Sequence, residues 1–205
     1  MRLLIVLGFL LTSSLLVQAD EFQEGVHYKS VQPAQPTQSG SNIEVVEVFN
    51  YACSHCANFQ PYIESWHQSK SDDINFSRIP VVFSRSWEPY ARAYWISESL
   101  GVLDQSHGAL FDAIHKQRKA LGSDESLADF YTHFGVSKES YLKAAKSFAV
   151  QTKLNRGNTS AQRYGVTGTP SIVVNGRYIT SASMAGSMER LIQVTDFLIE
   201  KERAK

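Results

Sequence analysis

The sequence predicts an α/β fold interrupted by an all-helical subdomain. Three observations carry that reading. An apolar strand at 43–49 runs straight into a helix that opens on two cysteines three apart, Cys53 and Cys56. From about 87 to 147 the apolar spacing is helical throughout and is cut by Gly101, Gly122 and Gly135. A helix, a hairpin and a closing helix then complete the α/β pattern. The expected organisation is a signal peptide at 1–19, the first part of the α/β unit at 20–83, the helical insertion at 84–147 and the second part at 148–205.

The leader is read from Arg2, the apolar run 3–16 and the small-residue cleavage site Val17-Gln18-Ala19. Its shortness, with Thr12, Ser13 and Ser14 inside it, favours cleavage over an uncleaved anchor. The expected destination is an exported, disulfide-tolerant compartment. Beyond the leader 19 basic residues face 20 acidic ones, so no excess of charge points to nucleic acid or to an anionic membrane.

Residues 26–31 read as a short edge strand, ended by the polar, turn-forming linker 33–40. The run 43–49 reads as a buried strand, apolar except for Glu44 and Glu47. Glu44 sits near the strand start, where water can reach it. Glu47 lies between Val46 and Val48, where burial would raise its pKa. It reads either as a proton carrier for Cys56 or as a partly exposed or ion-paired strand residue. The helix 54–70 turns Cys56, Phe59, Ile63 and Trp66 toward the sheet, and Pro61 removes one of its backbone bonds. A second strand is expected at 74–83.

Four short helices come next. Pro89 suits the first turn of one whose face is Tyr90, Ala93, Tyr94, Ser97 and Leu100. Leu110, Phe111 and Ile114 mark the next, ending near Gly122. Ser123 caps a third that stops at Gly135, and Ser137 caps a fourth. Their aromatics are expected in the core. Residues 148–164 form a helix, 171–174 and 177–180 a hairpin about a type I′ Asn175-Gly176 turn, and 187–205 the closing helix.

The chemistry lies at the cysteines. A sulfur at a helix start meets unpaired N–H groups and the positive end of the dipole, which favours thiolate over thiol. Cys53 is therefore the expected nucleophile, and Cys56, one turn in, the resolving thiol. His55 lies between them and can add charge or a hydrogen bond. A zinc site would need further ligands, and the six histidines lack ligand spacing. A structural disulfide across two residues would add little stability. Redox exchange is the reading that remains, with the disulfide itself as reactive group and no cofactor.

The segment Val166-Thr-Gly-Thr169-Pro170-Ser-Ile-Val-Val-Asn-Gly resembles the thioredoxin-superfamily loop that holds a cis-proline against the Cys-x-x-Cys. With the leader and the helical insertion, residues 20–205 resemble the DsbA-type periplasmic disulfide oxidoreductases of Gram-negative bacteria. The resemblance implies a thioredoxin-like fold, Thr169 and Pro170 beside Cys53 on the substrate side, and His55 as thiolate stabiliser. It places Glu47 at the superfamily's buried acidic position. It also implies a protein that oxidises exported polypeptides carrying free thiols and is reoxidised by a DsbB-type membrane quinone reductase; a monomer is expected. Two departures stand out. Ser54-His55 replaces the family's usual Pro-His, and Gln60 and Pro61 stand where its best-known members carry an acidic pair. A reductase or isomerase using the same site, or a chaperone using the groove without turnover, are the competing functions.

Overall fold

The computed structural model describes residues 22–205. The leader predicted at 1–19 lies outside the described residues. The strands are β1 (Lys29–Ser30), β2 (Ile43–Phe49), β3 (Ile74–Pro80), β4 (Ser171–Val174) and β5 (Tyr178–Ser181). They form one sheet in the order β1-β5-β4-β2-β3, with β2–β3 parallel and the other pairs antiparallel.

Strand β2 lies inside the sheet, between β4 and β3, and its residues alternate between two layers. Val45 packs with Phe59, Ile63 and Trp66 of α1 (Ser54–Gln68) and with Leu191, Val194 and Leu198 of α8 (Met188–Arg203). Val46 and Val48 face the other way, against Ala161 and Tyr164 at the C-terminal end of α6 (Phe148–Arg163). Helix α6 crosses β3 closely: a Cβ at Gly157 would lie 3.1 Å from Ile79 Cγ2. Each buried aliphatic or aromatic side chain contributes about 1.5–3 kcal/mol.

Between β3 and α6 lie α2 (Glu88–Ser99), α3 (Leu103–Phe111), α4 (Asp124–Tyr131) and α5 (Lys138–Ala145). Phe49, Tyr94, Phe111, Leu127, Tyr131 and Tyr141 form their shared core, as the aromatic spacing predicts. Ser123 and Ser137 cap α4 and α5 through their side chains, and Gly135 takes the left-handed conformation (φ 78°) after a final 3₁₀ turn. The α/β frame with a helical insertion is therefore as the sequence predicts.

Several boundaries differ from the sequence reading. The strand expected at 74–83 stops at Pro80, because its partner β2 ends at Phe49. Beyond that point Val81 N–H still reaches the Phe49 carbonyl, but Val82 N–H turns to the Asn158 side chain at 2.9 Å. Helix α1 ends two residues earlier than expected. Helix α3 ends at Phe111 and widens into a π turn over Asp112–Lys116, short of Gly122. The hairpin turn has Asn175 and Gly176 at φ 51° and 60°, as the Asn-Gly pair predicts. The register pairs Val174 with Tyr178, so Arg177 joins the loop and not the strand. A short helix α7 (Ala182–Ala185), absent from the sequence reading, precedes α8.

Candidate functional site

The topology brings the two distant motifs together. Strands β2 and β4 run antiparallel with Val48 opposite Ser171, so the end of β2 and the start of β4 lie at the same end of the sheet. The loop leaving β2 carries Cys53, and the loop entering β4 carries Thr169 and Pro170. The Thr169–Pro170 peptide is cis, and Cys53 Sγ lies 3.5 Å from the Thr169 carbonyl, within reach of a thiol donating to it. A second cis proline, which the sequence did not announce, lies at Gln32–Pro33.

Cys53 is the N-cap of α1, with extended backbone (φ −83°, ψ 114°). Its sulfur accepts from the Cys56 N–H at 3.4 Å, a role usually filled by a Ser or Asp oxygen. Both cysteines are buried free thiols in this structure. Cys53 is lowered to about 5. The hydrogen bond from the Cys56 thiol is the largest cause, burial opposes it, and the Thr169 side chain and the N–H groups of Cys56 and His55 add to the lowering. Burial, with the hydrogen bond to Cys53, pushes Cys56 well above the ordinary thiol range. One thiol is thus set to ionise and its neighbour to stay protonated.

The sequence offers His55 as a source of charge or a hydrogen bond. What acts on the sulfur is its backbone N–H, while its exposed imidazole lines the adjoining groove. That groove is about 520 Å³, with Lys29, Pro170, Ile179, Met184 and Met188 along it.

Glu47 is 1 % exposed, which excludes the exposed-strand reading. It is ion-paired: Arg78 Nε, directly across the parallel β2–β3 register, lies 2.9 Å from Glu47 Oε2. Arg78 Nη2 continues to Glu64 of α1 at 3.1 Å. Burial raises the Glu47 carboxyl and the arginine only partly offsets it. Cys53 and Cys56 both feel the Glu47 charge.

Sequence reasoning missed the residues that hold the loop before Cys53. Asn50 Nδ2 donates to the Val81 and Trp87 carbonyls, and its Oδ1 accepts from Ala52 N–H at 2.8 Å. Tyr51 is fully buried, with its hydroxyl 2.6 Å from His107 Nδ1 and its carbonyl 2.7 Å from His115 Nε2. His107 Nε2 meets Gln60 Oε1 at 3.2 Å, and burial holds this histidine well below its usual pKa, hence neutral. The only local signal was that 107, 111 and 115 fall four apart on a helix that also carries Phe111. Among the described residues, no group of three or more His, Cys, Asp or Glu side chains could hold a metal.

Known proteins resemble this chain in sequence and in frame. A family model described as a DSBA-like thioredoxin domain matches residues 88–193. The thiol:disulfide interchange protein DsbA of Pseudomonas aeruginosa is 39 % identical over 207 residues, covering 100 % of this chain and 98 % of that protein. The protein of the same name from Pseudomonas syringae pv. tomato is 38 % identical, covering 100 % and 97 %. Among solved structures, that of Pseudomonas aeruginosa DsbA superposes with a TM-score of 0.85 at 39 % identity, over 91 % of this chain and 97 % of that one. The oxidoreductase DsbA from Xylella fastidiosa gives 0.82 at 33 % identity, over 87 % and 96 %. A frame shared over nearly its whole length, with paired thiols at one end of its sheet, means that this chain belongs to the DsbA-like thioredoxin family.

Proposed function

We propose that this protein is a dithiol oxidase that donates a Cys53–Cys56 disulfide to newly exported polypeptides. It is a protein disulfide oxidoreductase of the thiol:disulfide interchange type. The observation that carries the direction of exchange is the unequal pair of thiols: Cys53, at the α1 N-terminus, lowered to about 5, and Cys56 raised well above its ordinary value. A thiolate at ease in the reduced protein makes the disulfide the higher-energy form, so electrons flow from substrate to enzyme.

A substrate thiolate attacks Cys53 Sγ, the Cys53–Cys56 bond breaks, and its electron pair leaves on Cys56. Because burial disfavours a Cys56 anion, that sulfur takes up a proton. Glu47 is the proposed carrier, supported by its burial, raised carboxyl and electrostatic coupling to both thiols. A second substrate thiolate then attacks the substrate sulfur of the mixed disulfide and Cys53 departs as thiolate. The substrate has gained one disulfide and the enzyme holds two electrons. The proximity of the Thr169 carbonyl to Cys53 supports a substrate-binding role for Thr169 and Pro170, since an extended chain can pair with exposed backbone as an added strand. The proposal extends to the periplasm as location, with residues 1–19 as the exporting leader and 84–147 as an insertion between the two halves of the α/β unit. A membrane quinone reductase of the DsbB type is the proposed reoxidant.

Equilibration with glutathione tests the direction. The expected potential lies well above that of thioredoxin, about −270 mV, and near or above that of glutathione buffers. A value at or below thioredoxin's would make the protein a reductase.

A further inference from the structure

The loop that presents Cys53 is held from outside the α/β unit. Residues Asn50 to Ala52 connect β2 to α1, and their geometry decides where the Cys53 N-cap sits. Asn50 ties them to Val81, just past β3, and to Trp87 at the start of the insertion. On the insertion side His115 donates from Nε2 to the Tyr51 carbonyl at 2.7 Å, two residues before the cysteine. The Tyr51 ring is packed against Phe111 (4.8 Å between centroids), Phe49 and His107, so its main chain has little room to shift alone.

His115 reaches that carbonyl from an irregular segment. Residues Asp112–Lys116 form a π turn, with Gln117 N–H bonded to the Asp112 carbonyl at 2.9 Å. An i→i+5 turn admits one residue more than the α ladder, which rotates the succeeding side chains about the helix axis by roughly 100°. Single wide turns of this kind inside helices are rare and fall frequently at functional sites. Here the turn carries His115, half-buried, and follows directly on α3, whose His107 meets the Tyr51 hydroxyl.

We propose that His115 is a positioning residue of the dithiol centre: its Nε2–H clamps the Tyr51 carbonyl to the helical insertion and so fixes how the α1 N-terminus grips Cys53 Sγ. The π turn is the device that delivers it. The insertion then helps to set the redox balance of the site, besides covering it. This inference rests on the exchange chemistry proposed above.

The test compares His115→Phe, which keeps a ring beside Phe111 but has no donor, with His115→Gln, which keeps an N–H. Full mature chains are equilibrated with glutathione, the Cys53 thiolate is titrated by its ultraviolet absorbance, and thermal unfolding is followed for the oxidised and reduced forms. With a loosened grip on the sulfur, His115→Phe should hold its disulfide roughly three- to tenfold more readily than wild type. Its thiolate titration should move to higher pH, and the reduced form should lose more thermal stability than the oxidised one. His115→Gln should lie nearer wild type on all three. Equal destabilisation of both redox forms with unchanged equilibrium and titration would overturn the clamp and leave His115 a packing residue. Should His115→Phe not fold, His115→Gln and His115→Asn decide, since their N–H groups have different reach. Only Gln tracking wild type supports the clamp, and two variants with identical equilibria refute it. Failure of the oxidase reading is separately visible, because it shows in the wild-type potential and not in the ratio of variant to wild type.

Discussion

Titration of stability isolates the thiol pair if the reduced and oxidised proteins are compared across pH. The oxidised form has no ionisable sulfur. In the reduced form Cys53 titrates at about 5, against roughly 8.5 in an unfolded chain. A group depressed on folding adds stability that is complete above its unfolded value and is lost as pH falls through its folded value. The stability of the reduced form over the oxidised one should therefore climb from about pH 5 to about pH 8.5, by up to ~1.4 kcal/mol per unit. By pH 7 two units have accrued, about 2.7 kcal/mol. Solvent screening removes part of this, leaving an expected contribution of about 1.5–2.5 kcal/mol. That is ~30–55 mV toward oxidising power relative to the same two cysteines in an unfolded chain.

Above about pH 8.5 the sign reverses. Burial keeps Cys56 protonated in the folded protein while its unfolded counterpart ionises, so rising pH then favours unfolding of the reduced form. The difference curve should pass through a maximum. Glu47 titrates in both forms, and only its repulsion with the Cys53 thiolate fails to cancel. The assay is urea unfolding of each form over a pH series. Parallel curves between pH 5 and 8, or a reduced form that weakens over that interval, would refute the assignment of a depressed thiol to the α1 N-terminus.

Cys56→Ala removes the thiol that does most to lower Cys53, so the Cys53 titration should rise by about one to two units when followed by thiolate absorbance; no rise would transfer that role to the backbone N–H groups. Arg78→Met leaves Glu47 buried without its partner and should cost about 3–5 kcal/mol in urea unfolding, with much of it recovered on adding Glu47→Gln. Gly176→Ala should destabilise by about 1–3 kcal/mol, because φ is +60° and the new Cβ would lie 2.2 Å from the Gln35 carbonyl oxygen. Gly108→Ala is the opposite case: it lies within α3 with nothing inside 4 Å of the added carbon, and should stabilise by about 0.5–1 kcal/mol in the same unfolding assay.

The features legible in the sequence are those that contiguous chain encodes. The β2 run, the apolar face of α1, the serine caps of α4 and α5, and the Asn175-Gly176 turn are all set by neighbours within a few residues, and each lies where its local pattern predicts. The sequence pattern overextends strand β3 because its own residues, Val81 to Phe83, remain apolar; what ends it is the end of β2, a fact about another segment. Arg177 looks like a strand residue for the same reason, since the loop's extra residue depends on pairing register. The π turn leaves no sequence mark, and the group its His115 meets, the Tyr51 carbonyl, lies on another segment.

The site divides along the same line, and the division has a consequence for how such centres vary. Cys53 and Thr169 are 116 positions apart, yet both are readable, because each belongs to a local motif and one antiparallel register joins them. Arg78, Asn50 and His115 carry no motif, and each matters only through the group opposite it. A substitution at any of them leaves every recognisable pattern intact while altering the burial or grip of a group that the patterns specify. The two departures in this chain, Ser54 and Gln60, are of both kinds. Ser54 sits inside the motif, as the first residue of α1 beside the Cys53 N-cap. Gln60 Oε1 meets His107 Nε2, whose Nδ1 meets the Tyr51 hydroxyl, so a hydrogen-bond chain through the helical insertion links it to the loop before Cys53. Differences in oxidising strength among proteins with the same Cys-x-x-Cys and cis-proline should therefore track what stands opposite these motifs as much as the dipeptide within them.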